Sequence, residues 1–312
     1  MHVLQGETMG TGWSVRMVAP VLTSLAVLRD GIERIFADLI AQMSHWEASS
    51  LLSRFNAAAG GEAFDLPADF ATVLACALAV ADQSDGAYDP TIAPMVDLWG
   101  FGAHAEPRKK PPSPEAIAAA LARCGWLKLP YDAVQRRLMQ PGGMRLDFSG
   151  IAKGHAVDRA AQFLAGVGIR HHLVEIGGEL RGSGVKPDGQ PWWVDLHAPT
   201  GLRSNYINRI ALHNLSLATT GDYQRNFRHA GKLYGHTIDP RSGWPTPPGL
   251  ASVSVLHASC MWADAYATAL TVLGVHAGME FARRHDLAAL FVSRRDDGLS
   301  EALSPAMQAM LD

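Results

Sequence analysis

One stretch of the sequence combines a predicted helix start with groups that can bind phosphate. In residues 146–168 a strand-like run passes through Ser149–Gly154 into a helix, which brings backbone N–H groups and Lys153 to a helix N-terminus. These groups and the helix dipole favour an anion. The stretch therefore predicts a phosphate site. Asp147 would repel phosphate unless it faces a ribose, a base or a metal, and a plain turn with a solvated lysine is the alternative.

A second stretch, residues 263–270, carries oxygen groups at helical spacing. Asp264 and Thr268 are four residues apart, so a helix places both on one face. A carboxylate, a hydroxyl and a nearby backbone carbonyl are hard oxygen ligands of the kind that Mg²⁺ accepts while it keeps several waters. The stretch predicts a magnesium site, with Asp264 as a simple helix N-terminal charge as the alternative.

Polar and aromatic residues are also dense in segments that read as loops. Residues 86–102 are rich in Gly, Pro and aromatic rings and contain Asp89 and Thr91, which predicts an exposed loop that clasps a planar ligand. The alternative is a structured loop that packs on its own domain. Four further polar side chains fall in predicted turns: Thr220, Asp222, His236 and Asp239. Their density suggests a binding or catalytic site, and the alternative is that they only stabilise the turns through local hydrogen bonds.

The elements that would position these groups are mixed in type. Apolar spacing predicts a strand over 9–19 and helices over 22–43, 67–84 and 152–167, the last closed by Gly168. The basic, Pro-rich run 104–114 predicts an exposed connection. Strands and helices follow one another without a regular βαβ alternation, so the fold class is predicted as α+β.

Composition excludes several classes of protein. The 312 residues carry 27 basic and 30 acidic side chains, a net charge of −3, with no basic block of the kind that nucleic-acid binding needs. No apolar run approaches the roughly 20 residues of a membrane span. The three cysteines, Cys76, Cys124 and Cys260, are widely spaced and predicted to be buried thiols. The first residues lack the pattern of a signal peptide, and no compartment is assigned.

Eight motifs in order along nearly the whole chain resemble the ApbE family of flavin transferases. They are MGTGWSV, MSHWEASSLLSRFN, GAYDPTIAPMVDLWGFG, LDFSGIAKGHAVD, VEIGGELRGSG, TTGDYQRNF, GHTIDPRSGWP and ADAYATAL. The resemblance implies one catalytic unit over 1–312, with a T-fold-like α+β core and a second subdomain that closes over the flavin nucleotide.

The resemblance also implies an activity and a set of site residues. The family transfers FMN from FAD to a Thr or Ser hydroxyl of an acceptor flavoprotein subunit, uses Mg²⁺ and releases AMP. His236 and Lys153 would be catalytic, and the metal would be held by Asp264, Thr268 and the carbonyl of Gly150. The residues implied to contact FAD are Met9, Trp46, Ala87, Tyr88, Asp89, Asp147, Lys153 and Ile238.

Two other functions are compatible with the same residues. A Mg²⁺-dependent FAD pyrophosphatase would use water in place of the acceptor hydroxyl and yield FMN and AMP. A non-catalytic FAD-binding protein would need no metal clamp, and the presence of Asp264, Thr268, Lys153 and His236 argues against it.

Overall fold

The computed structural model describes residues 1–195, 209–221, 226–295 and 298–310. Within these ranges the chain forms eight α-helices, seventeen short or long β-strands and one 3₁₀ turn, Trp126–Lys128. The helices are α1 (Leu25–Met43), α2 (Leu51–Ala57), α3 (Ala68–Gln83), α4 (Ala93–Leu98), α5 (Pro114–Leu121), α6 (Ala152–Gly166), α7 (Cys260–Arg284) and α8 (Pro305–Ala309). The strands are β1 (His2–Thr8), β2 (Thr11–Val18), β3 (Ala63–Asp65), β4 (Tyr131–Asp132), β5 (Arg137–Met139), β6 (His171–Ile176), β7 (Glu179–Ser183), β8 (Trp192–Asp195), β9 (Arg209–Leu212), β10 (Leu215–Gly221), β11 (Asn226–His229), β12 (Lys232–Gly235), β13 (Ile238–Asp239), β14 (Trp244–Pro245), β15 (Leu250–His257), β16 (Ala288–Arg295) and β17 (Gly298–Leu303).

One large antiparallel sheet forms the centre of the molecule. Its strand order in the described part of the chain is β1-β2-β6-β7-β10-β15-β16-β17. The long connection from β2 to β6 contains α1 to α6 and the small sheet β3-β5-β4. The mixture of helices with an antiparallel sheet confirms the predicted α+β class.

The two faces of the sheet are covered by different elements. Side chains alternate along a strand, so Val174 of β6 faces the core under the helices while its neighbour Leu173 faces the opposite side. The helical face packs against α6 and α7, with α1 and α3 behind them. The opposite face packs against the β8–β9 ribbon and α8. The sheet is therefore buried on both sides.

The predicted helices are confirmed with small shifts at their ends. The first begins at Leu25 rather than residue 22, because the Ser24 hydroxyl accepts the N–H of Val27 and caps the helix there. The helix α6 ends at Gly166, and Gly168 has a φ of 86°, a left-handed conformation that glycine adopts without steric cost. The opening strand, predicted over 9–19, is β2, and β1 precedes it.

The last elements in the described part of the chain are a long helix, a strand hairpin and a short helix. Helix α7 continues to Arg284 through a kink at Gly274, whose φ is 74°. The strands β16 and β17 then follow one another as a hairpin before α8. All three cysteines are buried and free, as predicted. No helix in the described ranges combines the length and apolarity of a membrane span.

Two carboxylates bind α6 and α7 to each other. Asp158 in α6 accepts the backbone N–H groups of Cys260 and Met261, each at 3.0 Å, and the hydroxyl of Ser259 at 2.6 Å. Asp264 in α7 accepts the N–H of Gly154, in the first turn of α6, at 3.1 Å. Each helix therefore satisfies N–H groups in the first turn of the other.

Loss of the Asp158 carboxylate is predicted to destabilise the fold. Asp158→Ala removes the acceptor for the first turn of α7 and leaves the Arg181 cation without its buried partner. Breaking one side of a buried ion pair costs about 3–5 kcal/mol. Urea unfolding followed by circular dichroism measures this loss. Glu280→Ala, on the exposed side of α7, is the matched control with little or no change expected; equal effects of the two changes would contradict the prediction.

Candidate active site

A large cleft beside the sheet collects most of the predicted site residues. It has a volume of about 1990 Å³ and is open to solvent. Its wall includes the β1–β2 turn, the segment after α1, the first turn of α6 and one face of α7. Among the described residues that line it are Met9, Trp46, Asp147, Gly150, Lys153, His236, Ile238, Asp264 and Thr268.

Three predicted contact residues lie behind this wall rather than on it. Ala87, Tyr88 and Asp89 are buried and are absent from the described lining of the cleft. Asp89 accepts the N–H and hydroxyl of Thr91, both at 2.7 Å, and the N–H of Trp126 at 3.2 Å. The Asp89 carboxylate therefore holds the backbone of its own loop, and contact of these three residues with FAD stays a prediction.

Tyr88 lies close behind the site. Its hydroxyl is buried and has no hydrogen-bond partner among the described residues. Burial raises the pKa of the Tyr88 hydroxyl well above its usual value, and the charge of Asp264 raises it further. The phenol is therefore neutral and can only act as a hydrogen-bond donor or acceptor.

The aromatic segment 86–102 is only partly an exposed loop. It contains the helix α4, and Trp99 is fully buried with its indole N–H donated to the carbonyl of Gly243 at 2.9 Å. The prediction of a ligand-clasping loop is therefore wrong for Trp99, whose ring packs in a separate apolar cluster. Phe101 does line the cleft.

Lys153 reaches the cleft from the first turn of α6 and is held by a buried carboxylate. Its Nζ atom lies 2.5 Å from Oε1 of Glu179, whose side chain is only 4% exposed. Burial lowers the pKa of Lys153, but the carboxylates of Glu179 and Asp264 outweigh this effect and raise it. Burial raises the pKa of Glu179 above its usual range, against the effect of the lysine charge. Lys153 therefore presents a fixed cation to the cleft.

Hard oxygen groups meet beside Lys153. Asp264 and Thr268 lie one turn apart on α7, as predicted, and the Thr268 hydroxyl oxygen is 3.4 Å from that of Thr220 in β10. Burial raises the pKa of Asp264, while Lys153 and the N–H of Gly154 act in the opposite direction. A Cβ atom at Gly150 would lie 2.7 Å from the Thr268 hydroxyl oxygen, so only glycine lets this backbone approach the threonine.

These groups fit a magnesium ion that shares its coordination with a substrate. The described chain has no cluster of three or more His, Cys, Asp or Glu side chains that could hold a metal. The set at Asp264 instead combines one carboxylate with a hydroxyl and a carbonyl, the oxygen groups that Mg²⁺ accepts together with waters and substrate phosphates.

Asp147 is oriented by its neighbours at the start of α6. Its Oδ1 atom accepts the N–H and hydroxyl of Ser149 at 2.7 and 2.5 Å. Nε2 of His45 lies 3.5 Å from the same oxygen and accepts the N–H of Phe148 at 3.2 Å. Since Nε2 is an acceptor, the His45 ring carries its proton on Nδ1.

His236 lines the cleft from the short connection between β12 and β13. The ring is half-buried and meets the edge of Phe101 at 6.4 Å between ring centres. Of the other polar residues predicted in turns, Thr220 is in a strand, Asp239 pairs with Arg241 at 2.9 Å, and Asp222 lies outside the described residues.

The basic run that was predicted as an exposed connection also faces the cleft. Residues 103–110 form irregular backbone and contribute to its wall. Nε2 of His104 donates to the carbonyl of His45 at 3.1 Å, and the rings of His104 and Trp46 meet edge to face. The segment therefore covers part of the cleft beside Trp46.

Sequence reasoning missed several residues of the cleft. Among them are Glu179 and Arg145, which pairs with Asp97, whereas Thr220 and Phe101 belong to segments that were predicted to contribute to a site. Glu179 carried the clearest signal, because it directly follows the pair Gly177–Gly178, and a second charged residue, Arg181, lies two positions further along the chain.

Comparisons with known proteins agree with the motifs. Residues 9–291 match the model described as the ApbE family. A FAD:protein FMN transferase of Haemophilus influenzae is 35% identical over 316 aligned residues, which cover 99% of this chain and 91% of that protein.

Solved structures give the same assignment. The apo form of the flavinyl transferase ApbE of Pseudomonas stutzeri is 35% identical with a TM-score of 0.91, over 99% of this chain and 96% of the other. The flavin transferase ApbE of Vibrio cholerae is 34% identical with a TM-score of 0.89, over 99% and 98%. With matching sequence motifs, family model and fold, the chain belongs to the ApbE family.

Proposed function

We propose that this protein transfers FMN from FAD to a Thr or Ser hydroxyl of an acceptor protein and releases AMP. The observation that carries the proposal is the convergence of Lys153, the Asp264–Thr268 pair and His236 on one cleft in a chain of the ApbE family. The relatives named FAD:protein FMN transferase support the same reaction.

The size of the cleft supports a dinucleotide together with an acceptor. Its volume of about 1990 Å³ exceeds the roughly 300–1,000 Å³ of an ordinary small-molecule pocket. A polypeptide segment can therefore enter while FAD is bound. Met9, Trp46, Asp147 and Ile238 are the lining residues that we assign to FAD contact.

Lys153 and the oxygen groups on α7 are assigned to the pyrophosphate. The Lys153 ammonium and the N-terminus of α6 bind the phosphate oxygens. Asp264, Thr268 and the carbonyl of Gly150 would hold Mg²⁺, which supplies a Lewis acid that neutralises charge on those oxygens. The chain's own part is to fix these groups before the substrate arrives.

His236 is assigned as the general base. The acceptor hydroxyl oxygen forms a bond to the phosphorus on the flavin side of FAD, and the bond from that phosphorus to the bridging oxygen breaks. The bridging oxygen leaves with AMP, and His236 takes the proton of the hydroxyl. A hydroxyl with an ordinary pKa is a weak nucleophile, so a base within hydrogen-bond reach is expected.

The first test is transfer itself. Purified protein is incubated with FAD, Mg²⁺ and an acceptor peptide that carries a Thr, and mass spectrometry detects the covalent FMN adduct. We expect an adduct that disappears with EDTA and in Asp264→Ala. AMP release without adduct, on an acceptor that a known transferase does modify, would identify a pyrophosphatase, and intact bound FAD would identify a binding protein.

His236→Asn is predicted to abolish transfer while FAD still binds. Asparagine keeps a polar group near the same place but cannot accept a proton at neutral pH, and general base catalysis contributes about 10²–10⁴ in rate. Adduct formation and the dissociation constant of FAD are measured on the same preparation. His213→Asn, on an exposed turn away from the cleft, is the control. Unchanged transfer by His236→Asn would remove His236 from the mechanism.

Gly150→Ala is predicted to damage the site without unfolding the chain. The added methyl group would lie 2.7 Å from the Thr268 hydroxyl oxygen and push the carbonyl of residue 150 away from α7. We expect transfer at least tenfold slower, or a higher Mg²⁺ requirement, which a titration of rate against Mg²⁺ measures. Gly166→Ala, at an exposed helix position with open space, is the control and should retain full activity; normal Mg²⁺ dependence of Gly150→Ala would contradict the assignment.

A further inference from the structure

The geometry of the β6–β7 turn directs Glu179 at Lys153. The two turn residues, Gly177 and Gly178, have φ values of 59° and 102°, as a two-residue hairpin turn with the twist of its strands requires. Gly177 also donates its N–H to the carbonyl of Gly12 at 3.1 Å, which fixes the turn against the start of β2. As the first residue of β7, Glu179 has a defined position and faces α6.

Within the described part of the chain, only one of the two carboxylate oxygens of Glu179 has a hydrogen-bond partner. Oε1 accepts from Nζ of Lys153, whereas Oε2 is buried and has no hydrogen-bond partner among the described residues. Glu179 also lines the cleft. A buried carboxylate oxygen without a donor costs free energy in the free protein, so a donor carried by the bound substrate would remove that cost.

A second ion pair between α6 and β7 contains a carboxylate whose contacts are all structural, and it serves as a comparison for Glu179. Arg181, two residues along β7 on the same face, pairs with Asp158 in α6. Both oxygens of Asp158 accept hydrogen bonds, and neither residue is part of the described lining of the cleft. Glu179 differs in both respects, and its location at the phosphate site accounts for the difference.

We propose that Glu179 is a positioning residue with two contacts: its Oε1 holds the Lys153 ammonium toward the pyrophosphate, and its Oε2 accepts a hydrogen bond from a hydroxyl of the bound FAD. This inference rests on the proposed function. The hydroxyl groups next to the pyrophosphate belong to the ribityl chain on one side and to the ribose on the other. Both kinds of hydroxyl can donate the same hydrogen bond. FMN carries the ribityl chain and ADP carries the ribose, so the two ligands separate the two possible contacts.

Binding without turnover tests the second contact. Glu179→Gln replaces one carboxylate oxygen by a donor, so we expect the dissociation constant of FAD to rise about tenfold or more, since a hydrogen bond to a charged group is lost. FAD affinity is measured by flavin fluorescence with no acceptor present, and FMN and ADP affinities by calorimetry. If Glu179→Gln weakens the binding of FMN but not of ADP, the contact is to the ribityl chain. If it weakens the binding of ADP but not of FMN, the contact is to the ribose. Unchanged affinity for all three would overturn the contact.

A double-mutant cycle on the transfer rate tests the first contact. The rates are measured at FAD concentrations that saturate every variant, so that the second contact, which changes FAD affinity, does not enter the comparison. If Glu179 acts through Lys153, Glu179→Gln then slows transfer by about tenfold or more in the wild type and changes it less than about twofold in a Lys153→Met background. If the two substitutions slow transfer independently, so that their fold-changes multiply in the double mutant, the positioning role of Glu179 is overturned. A wild-type protein that binds FAD but transfers nothing would refute the proposed function and leave the binding arm intact.

Two variants separate positioning from stability. Arg181→Met breaks the other ion pair between α6 and β7, so its melting temperature should fall while FAD affinity and transfer stay within twofold of the wild type. Glu179→Asp keeps the charge on a shorter side chain, and we expect it to recover part of the FAD affinity that Glu179→Gln loses. If loss of activity follows melting temperature across all three variants, Glu179 is structural and the proposal fails.

Discussion

The site depends on the close contact between α6 and α7. At Gly154 an added Cβ atom would lie 2.4 Å from the carbonyl oxygen of Cys260 and 2.9 Å from Cβ of Asp264, so the approach requires glycine. That approach lets Asp264 reach the N–H of Gly154 and lets Asp158 reach the first turn of α7. In one hydrogen bond α6 supplies the donor and α7 the acceptor, and in the other these roles are exchanged. Together they fix the position of one helix along the other.

The contact between α6 and β7 adds a second constraint. Along α6 the charges are positive at Lys153 and negative at Asp158, and along β7 they are negative at Glu179 and positive at Arg181. A shift of the strand by two residues would place Lys153 opposite Arg181, so the charge order specifies one register. This register holds the Lys153 ammonium in the wall of the cleft. Because the side chain is already ordered, binding a phosphate would cost it less conformational entropy than it would cost a freely rotating lysine.

Local features of the site could be predicted from the sequence. Asp264 and Thr268 share a helix face because their spacing alone determines it. The extent of α6 follows from the pattern of its apolar residues and from Gly168, which marks its end. The order of the motifs also carried the family assignment. In each case the information lies within a few consecutive residues or in their order along the chain.

The features that sequence reasoning missed depend on partners far along the chain. Trp99 looked like part of an exposed loop, but its indole N–H reaches the carbonyl of Gly243, 144 residues away. Glu179 became a site residue only through the register of β6 and β7 against α6, which apolar periodicity does not specify. Asp89 was predicted to lie in an aromatic, Gly- and Pro-rich loop that clasps a ligand, but its carboxylate oxygens accept hydrogen bonds from Thr91 and Trp126 instead.

The charges at the phosphate site connect the affinities for metal and FAD under the proposed function. With Glu179 and Asp264 ionised, the two carboxylates face one ammonium, so the pocket alone would repel a pyrophosphate. A divalent cation held by Asp264 would reverse the sign of the local charge, and it would supply a Lewis acid for the pyrophosphate oxygens. Each ligand thus improves the site for the other, and by linkage the gain is the same in both directions. Under the proposed function, a pocket in which two carboxylates lie beside one fixed lysine would therefore bind FAD together with a cation more tightly than FAD alone.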